Sequence, residues 1–347
     1  MRIHLKRLSD QVIVITGASS GIGLVTARKA ARNGARMVLA ARSGEELQRL
    51  ADELTIKGCE ALVVVADVGK QEDVKRIADE AIRRFGRFDT WINNAGVSIF
   101  GHLMEVPIED ARRLFETNFW GVVYGSLIAV EHLRPRGGAL INLGSVVSDR
   151  AFPLQGMYSA SKAAVKGFTD ALRVELEAEH APISVTLIKP TSIATPFPYH
   201  AANYLSVEPT LPPPVYAPET VADAILAAAV HPEREVAVGG ASKAMSMGAA
   251  IAPRLMDWYQ RMTSFTQQQS SRPARRNRDS SLHHASHGLA ERGVDDRHIF
   301  EHSAYTSARL RPVLTGVAIA AAGLALGGLW NALQGEGHDG GHPKRHP

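Results

Sequence analysis

The stretch Val12-Ile-Val-Ile-Thr-Gly-Ala-Ser-Ser-Gly-Ile-Gly23 decides the fold class of this chain. Its first four residues are apolar and β-branched, which is typical of a buried strand, and a helical pattern follows its glycines as far as Arg32. A strand, a glycine-rich turn and a helix in this order predict a dinucleotide-binding element. The alternative is a glycine-rich turn that binds no ligand.

Each glycine of this loop has its own expected task. Gly17 would permit the tight turn, Gly21 would let backbone amides approach a pyrophosphate, and Gly23 would let the helix pack closely on the strand. The N-terminus of the helix would favour the charge of the phosphates. We therefore expect the phosphates of a dinucleotide to bind at the end of this strand.

Six further apolar runs are expected to form strands, and helical stretches separate most of them. These runs are Arg36–Ala40, Ala61–Ala66, Thr90–Asn93, Ala139–Leu143, Ile183–Ile188 and Glu235–Val238. The alternation predicts an α/β fold with a three-layer, doubly wound parallel sheet of the Rossmann type. Residues 8–240 are numerous enough to bury a core on both faces of such a sheet.

Tyr158 and Lys162 lie four residues apart, so a helix would place them on one face. A phenol titrates near pH ~10 unaided, and it exchanges protons poorly at neutral pH unless a neighbouring cation stabilises the phenolate. Lys162 is placed to supply that cation. Ser145 follows the strand-like run Gly138–Leu143, so its hydroxyl could project toward the oxygen that Tyr158 protonates. The trio indicates carbonyl and alcohol chemistry, although the spacing also occurs on ordinary helices.

Together these residues resemble the short-chain dehydrogenase/reductase family, in its single-domain form, over about Leu8 to Val238. Five blocks stand in the family's order: the cofactor loop Thr16–Gly23, the adenine-contacting pair Asp67-Val68, the turn Asn93–Gly96, the helix asparagine Asn118, and the catalytic residues Ser145, Tyr158 and Lys162. Each block alone is weak evidence, but five in sequence are specific.

The resemblance implies a role for each catalytic residue. Tyr158 would be the general acid in carbonyl reduction and the base in alcohol oxidation. Lys162 would lower the pKa of Tyr158 and hold the nicotinamide ribose, and Ser145 would donate a hydrogen bond to the substrate oxygen. Asn118 would hold a water that links Lys162 to solvent. The structural alternatives are that Asn118 bonds the backbone in a helix bend and that Ser145 caps a turn.

The end of the second strand indicates which cofactor is used. An NAD site usually places an acid there to bind the ribose 2′-hydroxyl, whereas a 2′-phosphate needs a cation. Ala41 stands in the acid's place and Arg42 follows, so NADP(H) is favoured over NAD(H). The alternative is a surface arginine that contacts nothing. The full set of expected cofactor contacts is Gly17, Ser19, Ser20, Gly21, Ile22, Gly23, Arg42, Asp67, Val68, Asn94, Ala95, Gly96, Tyr158, Lys162, Pro190, Ile193 and Thr195.

The segment from Lys189 to Pro218 is dense in proline and tyrosine, which excludes long helices and favours a stiff, extended loop. The family's substrate lid lies in this region. Its aromatic side chains could line an apolar pocket or pin the loop to the core. The chain departs from the family at Thr191, where glycine is usual, and a β-carbon there could reshape the turn beside the nicotinamide. Thr195 retains the family's threonine, expected near the carboxamide.

Composition divides the chain into a catalytic domain (residues 1–265), a linker (266–311), an uncharged helix (312–334) and a polar tail (335–347). Apolar residues at helical spacing in 248–265 are expected to pack on the core rather than to cover the substrate entrance or touch a membrane. The linker is polar and basic with few large apolar residues, so we expect it to be disordered. Three of its histidines, His283, His284 and His287, lie close together but lack a familiar ligand spacing, so no metal site is predicted.

The run from Val313 to Leu333 carries no charged residue. At ~1.5 Å rise per residue, a helix of this length would just span a hydrocarbon core of about 30 Å. We therefore predict a transmembrane anchor, with a buried or interfacial helix as the alternative. Cofactor supply favours a membrane-associated protein whose catalytic domain lies in the cytoplasm.

The remaining features bound the function. The segment of residues 1–10 is short and basic and leads straight into the first strand, so no secretory signal is expected. Cys59 is the single cysteine, which excludes an internal disulfide. A net charge of only +4 gives little support to nucleic-acid binding. The partners expected are a small-molecule substrate and further copies of the chain, in a homodimer or homotetramer. Two hypotheses stand: an NADP(H)-dependent oxidoreductase acting on a carbonyl or hydroxyl of an apolar substrate, and a catalytically idle dinucleotide-binding sensor or scaffold.

Overall fold

The computed structural model describes residues 3–240, 248, 251–275, 280–293, 297–310 and 315. The strands are β1 (Val12–Thr16), β2 (Arg36–Ala41), β3 (Ala61–Val65), β4 (Thr90–Asn93), β5 (Ile99–Phe100), β6 (Gly138–Leu143), β7 (Ile183–Pro190), β8 (Ser192–Ile193), β9 (Ala202–Asn203), β10 (Val207–Pro209), β11 (Val215–Tyr216), β12 (Glu235–Val238), β13 (Gln269–Pro273) and β14 (Ile299–Phe300). The α-helices are α1 (Gly21–Arg32), α2 (Gly44–Ile56), α3 (Gln71–Phe85), α4 (Ile108–Phe115), α5 (Gly121–Leu133), α6 (Gly156–Ala178), α7 (Phe197–His200), α8 (Pro218–Val230), α9 (Pro253–Gln267) and α10 (Ala304–Leu310), with a π-helical turn at Glu116–Trp120 between α4 and α5.

A seven-stranded sheet organises the domain, in the order β12-β7-β6-β4-β1-β2-β3. Every neighbouring pair in it is parallel. These are the seven strands that the apolar runs predicted, so the predicted α/β fold with a parallel sheet is confirmed. Parallel strands need long crossovers, and the helices supply them.

Helices cover both faces of the sheet. On one face, α1, α2 and α8 bury Leu24, Leu50 and Ile225 in a single cluster. On the other, α3, α5 and α6 bury Ile77, Leu133 and Leu172. The central strands are therefore buried on both sides, which explains their continuous apolar sequence.

The sheet topology fixes where a ligand can bind. The chain runs from β1 through β2 to β3 at one edge and then returns to β4 on the other side of β1, so the strand order reverses between β1 and β4. Loops that leave the carboxyl ends of β1 and β4 therefore diverge and leave a crevice. The glycine loop after β1 and the turn after β4 both lie at this edge. Ser145 follows β6 at the same edge. Residues distant in sequence are thus brought to one crevice.

Composition predicts that residues 266–311 form a disordered linker, but the described part of this stretch contains strands and a helix. There β13 pairs with β10 and β14 pairs with β11. Leu282 is completely buried, and Leu289 and Leu310 pack on the main core. The physical reason is that a segment poor in apolar residues needs no core of its own when it can add to one that already exists.

The predicted transmembrane segment, residues 312–334, lies outside the described residues apart from residue 315. Among the residues that the structure does describe, no helix is both long enough and apolar enough to cross a bilayer.

Candidate active site

A cavity of about 280 Å³ lies at the carboxyl edge of the sheet. All of the cofactor contacts expected from the sequence line it, and so do Ser145, Tyr158 and Lys162. Asn118 is the one expected site residue that does not. The structure therefore brings the glycine loop, the end of β2 and the tyrosine–lysine pair around one space.

The glycine loop has the close approach that the sequence predicts. The Gly17 N–H donates to the carbonyl of Ala40 at 2.7 Å, with Gly17 at φ +68°. A β-carbon on Gly23 would lie 2.1 Å from the carbonyl oxygen of Gly17. No side chain fits at residue 23, because the obstructing Gly17 oxygen belongs to the backbone and not to a flexible side chain. Glycine at this position lets α1 begin directly against the loop, with its N-terminus facing the cavity, which is the cradle that a pyrophosphate requires.

Asn94 holds this loop in place. Its side-chain amide donates to the carbonyl oxygens of Thr16 and Gly17, at 2.9 and 3.1 Å. Asn94 was expected to contact cofactor, and although it lines the cavity its amide hydrogens are used by the loop. In this structure the Asn94 side chain fixes the shape of the loop.

Asp67, the expected adenine-contacting acid, follows β3 at the rim of the cavity. Its carboxylate accepts a hydrogen bond from Arg113 at 2.6 Å and one from the backbone N–H of Gly69 at 3.0 Å. The neighbouring Arg42 side chain is partly buried. This side of the crevice, where an adenosine is expected, thus combines one carboxylate with two guanidinium groups.

The trio of expected catalytic residues comes from two elements. Tyr158 and Lys162 lie one turn apart on α6, and Ser145 lies in the loop after β6. The Lys162 ammonium donates to the carbonyl of Leu143 at 2.7 Å and lies 5.8 Å from the centre of the Tyr158 ring. The Ser145 hydroxyl accepts the backbone N–H of Val147 at 3.3 Å, so it caps a turn as well as lining the cavity.

The ionisation of the trio differs from the sequence-based expectation that Lys162 lowers the pKa of Tyr158. Burial raises the pKa of Tyr158 to about 12, against a smaller lowering by its hydrogen bond with Ser145. Burial also lowers the pKa of Lys162 to about 8. The reason is geometric: the ammonium is bonded to a backbone carbonyl rather than to the phenol, so desolvation dominates for both groups.

Asn118 lies in the π-helical turn and is completely buried. Its side chain accepts the Val97 N–H at 2.8 Å and donates to the Val97 carbonyl at 2.9 Å. A β-carbon on Gly96 would lie 3.4 Å from the Asn118 side-chain oxygen and 3.8 Å from the Lys162 ammonium. Asn118 therefore bonds the backbone, the alternative left open by the sequence, while lying near Lys162.

The proline-rich segment covers the side of the crevice that holds Tyr158. It contains only short strands and the four-residue helix α7, so the prediction that long helices are excluded is confirmed. Phe197 lies with its ring centre 5.6 Å from that of Tyr158. Thr191 is accommodated because its methyl group lies over Gly239, which has no side chain. A β-carbon on residue 239 would lie 2.4 Å from that methyl group. Thr195 lies against Gly21 at the start of α1.

Helix α9 lies beside the cavity. Its apolar residues were expected to pack on the core, but several of them are exposed. Gln260 and Ser264 are buried, whereas Leu255, Trp258 and Met262 are each more than half exposed. The side toward the cavity carries Met256 and Tyr259 as well as Gln260. A helical spacing of apolar residues does not reveal which side of the helix faces the protein.

Residues 280–293 also reach the cavity, which the sequence did not predict. Ser281, Ala285 and Ser286 line it, and Arg42 donates to the carbonyl oxygens of Ser281 and Leu282. No motif marks this stretch; its only signals are two leucines, Leu282 and Leu289, in a polar run. Of the nearby histidines, His283 bonds Asp110 at 2.8 Å. No cluster of three or more potential metal ligands occurs in the described part of the chain.

Comparison with known proteins agrees with this geometry. The sequence model of the family described as short chain dehydrogenase matches residues 11–202. A protein of Bacillus subtilis, described as uncharacterized oxidoreductase YxnA, is 50% identical over 322 residues, which are 92% of this chain and 90% of that protein. An 11-beta-hydroxysteroid dehydrogenase A of Sesamum indicum is 35% identical over 266 residues, or 74% of this chain and 76% of that one.

Among solved structures, a short chain dehydrogenase/reductase from Burkholderia phymatum, in complex with NAD, is similar with a TM-score of 0.66. It is 26% identical, and the match covers 73% of this chain and 97% of that chain. The parallel sheet, the glycine loop and these similarities agree, and this chain is an oxidoreductase that belongs to the short-chain dehydrogenase/reductase family.

Proposed function

We propose that this protein uses NADP(H) to interconvert a carbonyl group and an alcohol on an apolar small molecule, with Tyr158 as the proton donor and acceptor. One observation carries the proposal: the Tyr158 phenol, the Ser145 hydroxyl and the Lys162 ammonium line the same cavity as the glycine loop. The bound dinucleotide supplies or accepts the hydride. The protein positions the substrate and moves the proton.

The ionisation states suit carbonyl reduction. With its pKa at about 12, Tyr158 holds its proton at neutral pH and can donate it to a carbonyl oxygen. With its pKa at about 8, Lys162 is mostly an ammonium at neutral pH, so a positive charge lies beside the phenolate that proton donation leaves. Ser145, at the end of β6, would donate to the substrate oxygen and orient it. Alcohol oxidation would need a deprotonated Tyr158 and should become faster at higher pH.

A nicotinamide dinucleotide is supported by the family, and the choice of NADP(H) rests on Arg42. Ala41 ends β2 without an acid that could bind a 2′-hydroxyl, and a guanidinium is suited to a phosphate in shape and charge. The Ser43 hydroxyl lies beside it and also lines the cavity. The similar Burkholderia protein was solved with NAD, so the proposal depends on this chain's own residues.

The lining of the cavity beyond Tyr158 supports an apolar substrate. Phe152, Phe197, Leu211, Met256 and Tyr259 contribute to it. Few charged groups lie on this side. A flat hydrocarbon with one carbonyl could therefore bury its apolar surface here, and the site would replace the hydrogen bonds that its carbonyl loses from water. The hydroxysteroid dehydrogenase name of the Sesamum relative agrees with a substrate of this size and polarity.

The test is the Tyr158→Phe variant, assayed by NADPH consumption with a panel of steroid, retinoid, fatty-acyl and aromatic carbonyls. We expect turnover to fall by about 10²–10⁴-fold, the usual contribution of a general acid, while NADPH still binds. Tyr204→Phe is the matched control, because Tyr204 bonds Asp110 outside the cavity. Full turnover in Tyr158→Phe would refute the proposal.

Membrane attachment, with the catalytic domain in the cytoplasm, is part of the same proposal. Its support is the uncharged run 313–333 and the outward face of α9, where Leu255, Trp258 and Met262 are exposed by 61%, 53% and 60%. Apolar side chains at this spacing on an exposed helix are typical of interfacial helices. Cell fractionation with and without residues 312–347 tests it, and equal solubility of the two forms would contradict it.

We also propose that the protein is a homodimer or homotetramer, formed through the central helices. Trp120 beside α5, Leu127 on α5 and Val174 on α6 are exposed by 42%, 52% and 59%. Exposed apolar residues on adjacent helices favour an interface. Light scattering on the purified chain tests this, with Leu127→Glu expected to dissociate the oligomer and a monomeric wild-type protein contradicting the proposal.

A further inference from the structure

Residues 280–293, which we call the strap, lie across the adenosine side of the cofactor crevice. The Leu282 side chain is completely buried in a cluster that includes Ile99 and Leu114. Ser281 donates its backbone N–H to the carbonyl of His200 at 2.8 Å. At this end, the strap is held by an apolar anchor and a backbone hydrogen bond.

The other end of the strap is held by polar contacts with the first two helices. The Gly288 N–H donates to the Glu46 carboxylate at 2.9 Å, and the Glu291 carboxylate pairs with Arg28 at 2.7 Å. The Ala290 carbonyl accepts the N–H of Gly21, the first residue of α1, at 2.9 Å. The strap thus passes over the crevice from the α4 side to the α1 side.

Between these anchors, carbonyl oxygens of the strap accept hydrogen bonds from Arg42 and Ser43, the side chains proposed for the 2′-phosphate, and from the neighbouring Arg113. Arg42 donates to the carbonyls of Ser281 and Leu282, the second at 3.3 Å, and Arg113 donates to the Leu282 carbonyl at 3.1 Å. The Ser43 hydroxyl donates to the carbonyl of Ser286. All three side chains are donors, and all of their partners here are backbone acceptors.

A phosphate and a backbone carbonyl cannot share these donors well. Phosphate oxygens are acceptors with negative charge, so they need the same N–H and O–H groups and are repelled by carbonyl oxygens. A ribose 2′-hydroxyl differs, because it is itself a donor and can bond a carbonyl. The cavity is lined both by the strap, at Ser281 and Ser286, and by the crevice, at Ala41 and Asp67, so there is space between them.

We propose that the strap and the 2′-phosphate of NADP(H) compete for Arg42 and Ser43. NADP(H) binding then displaces the strap around residues 281–286, whereas a dinucleotide with a free 2′-hydroxyl binds beneath the closed strap. The strap is a specificity-determining segment that weakens NADP(H) binding more than NAD(H) binding. This inference rests on the cofactor site of the proposed function.

Two variants loosen the strap by different means. Leu282→Ala removes its apolar anchor. Gly288→Ala strains its backbone at φ +91°, where a β-carbon meets nothing within 4 Å. Gly58→Ala is the matched control, because Gly58 has φ +84° and equally open surroundings but lies in the turn after α2, away from the crevice. At least one strap variant should fold even if the other does not.

The experiment measures the Kd of NADPH and of NADH by calorimetry with the full chain. We expect each strap variant to tighten NADPH binding about tenfold, the equivalent of a charged hydrogen bond regained, and to change NADH binding less than about twofold. Gly58→Ala should change neither. Equal changes for the two cofactors, or weaker NADPH binding in both strap variants, would overturn the inference.

Hydrogen exchange gives a second readout that does not depend on affinity. Backbone amides of residues 281–286 should exchange faster when NADPH is added, and not when NADH is added. Protection by NADPH would overturn the inference, because the strap would then be closing over the phosphate.

The Arg42→Ala variant separates failure of this inference from failure of the proposed function. If it leaves the ratio of NADPH to NADH affinity unchanged, the proposed 2′-phosphate site is wrong. If it lowers that ratio while the strap variants do not raise it, the site stands and the strap inference alone is wrong.

Discussion

Raising the pH from 7 to 9 should slow carbonyl reduction, because Lys162 loses its charge in that range. Burial lowers the pKa of Lys162 from 10.5 to about 8. Between one pH unit below this pKa and one pH unit above it, the fraction of Lys162 in the ammonium form falls from about 90% to about 10%. Activity that requires the cation should therefore fall about tenfold. The shift itself corresponds to about 3 kcal/mol of lost solvation of the ammonium.

The sign of the effect follows from both groups of the pair. Below about pH 8 Lys162 is charged and Tyr158 is protonated, which is the combination that proton donation needs. Above it Lys162 becomes neutral, while Tyr158, with its pKa at about 12, keeps its proton. The decline should therefore follow the lysine alone, and it should show a single midpoint.

The assay is kcat/KM for the carbonyl substrate at saturating NADPH, measured from about pH 6 to about pH 10, because this ratio reports ionisation of the enzyme–NADPH complex that the carbonyl meets. Lys162→Arg keeps its charge throughout and should lose the decline near pH 8, even at lower activity. Lys166→Arg, one turn along α6 and paired with Asp170, is the matched control and should keep the decline. A midpoint near the ordinary lysine value, or the same profile in Lys162→Arg, would refute the reasoning.

Two further predictions concern the loop and the core. Gly23→Ala should weaken NADPH binding by at least about tenfold in calorimetry, because the new β-carbon would lie 2.1 Å from a backbone oxygen. Gly167→Ala is the control: a β-carbon there meets nothing within 4 Å, so NADPH binding should not change. Asn142→Ala should lower the free energy of unfolding in urea by about 1–3 kcal/mol, because Asn93 and Thr169, which bond Asn142 at 2.8 and 3.0 Å, would lose a buried partner; no change in the urea midpoint would contradict it.

The strands, the glycine loop and the tyrosine–lysine pair could be predicted because their signals are local. A β-branched run such as Val12–Ile15 favours a strand wherever it lies, and four-residue spacing puts Tyr158 and Lys162 on one face of any helix. The family's motifs add the order in which such blocks occur. These signals needed no knowledge of distant contacts.

The predictions that differed from the structure depended on surroundings. Composition indicated that residues 266–311 could not fold alone, but Leu282 is buried against residues of β5, α4 and β9. Helical spacing identified α9 without showing that its Leu255 and Trp258 face outward. The pKa of Tyr158 follows from burial, which no local pattern reveals.

The sequence by itself determined the parallel sheet, its glycine loop and the residues available for chemistry, since each is encoded by neighbours within a few positions. Only the tertiary structure decided what those residues contact. The hydroxyl of Ser43 bonds a carbonyl 243 residues further along the chain, and the Lys162 ammonium bonds one 19 residues before it. Contacts over such separations depend on how the whole chain packs, which is why the strap over the cofactor crevice could not be seen in the order of the amino acids.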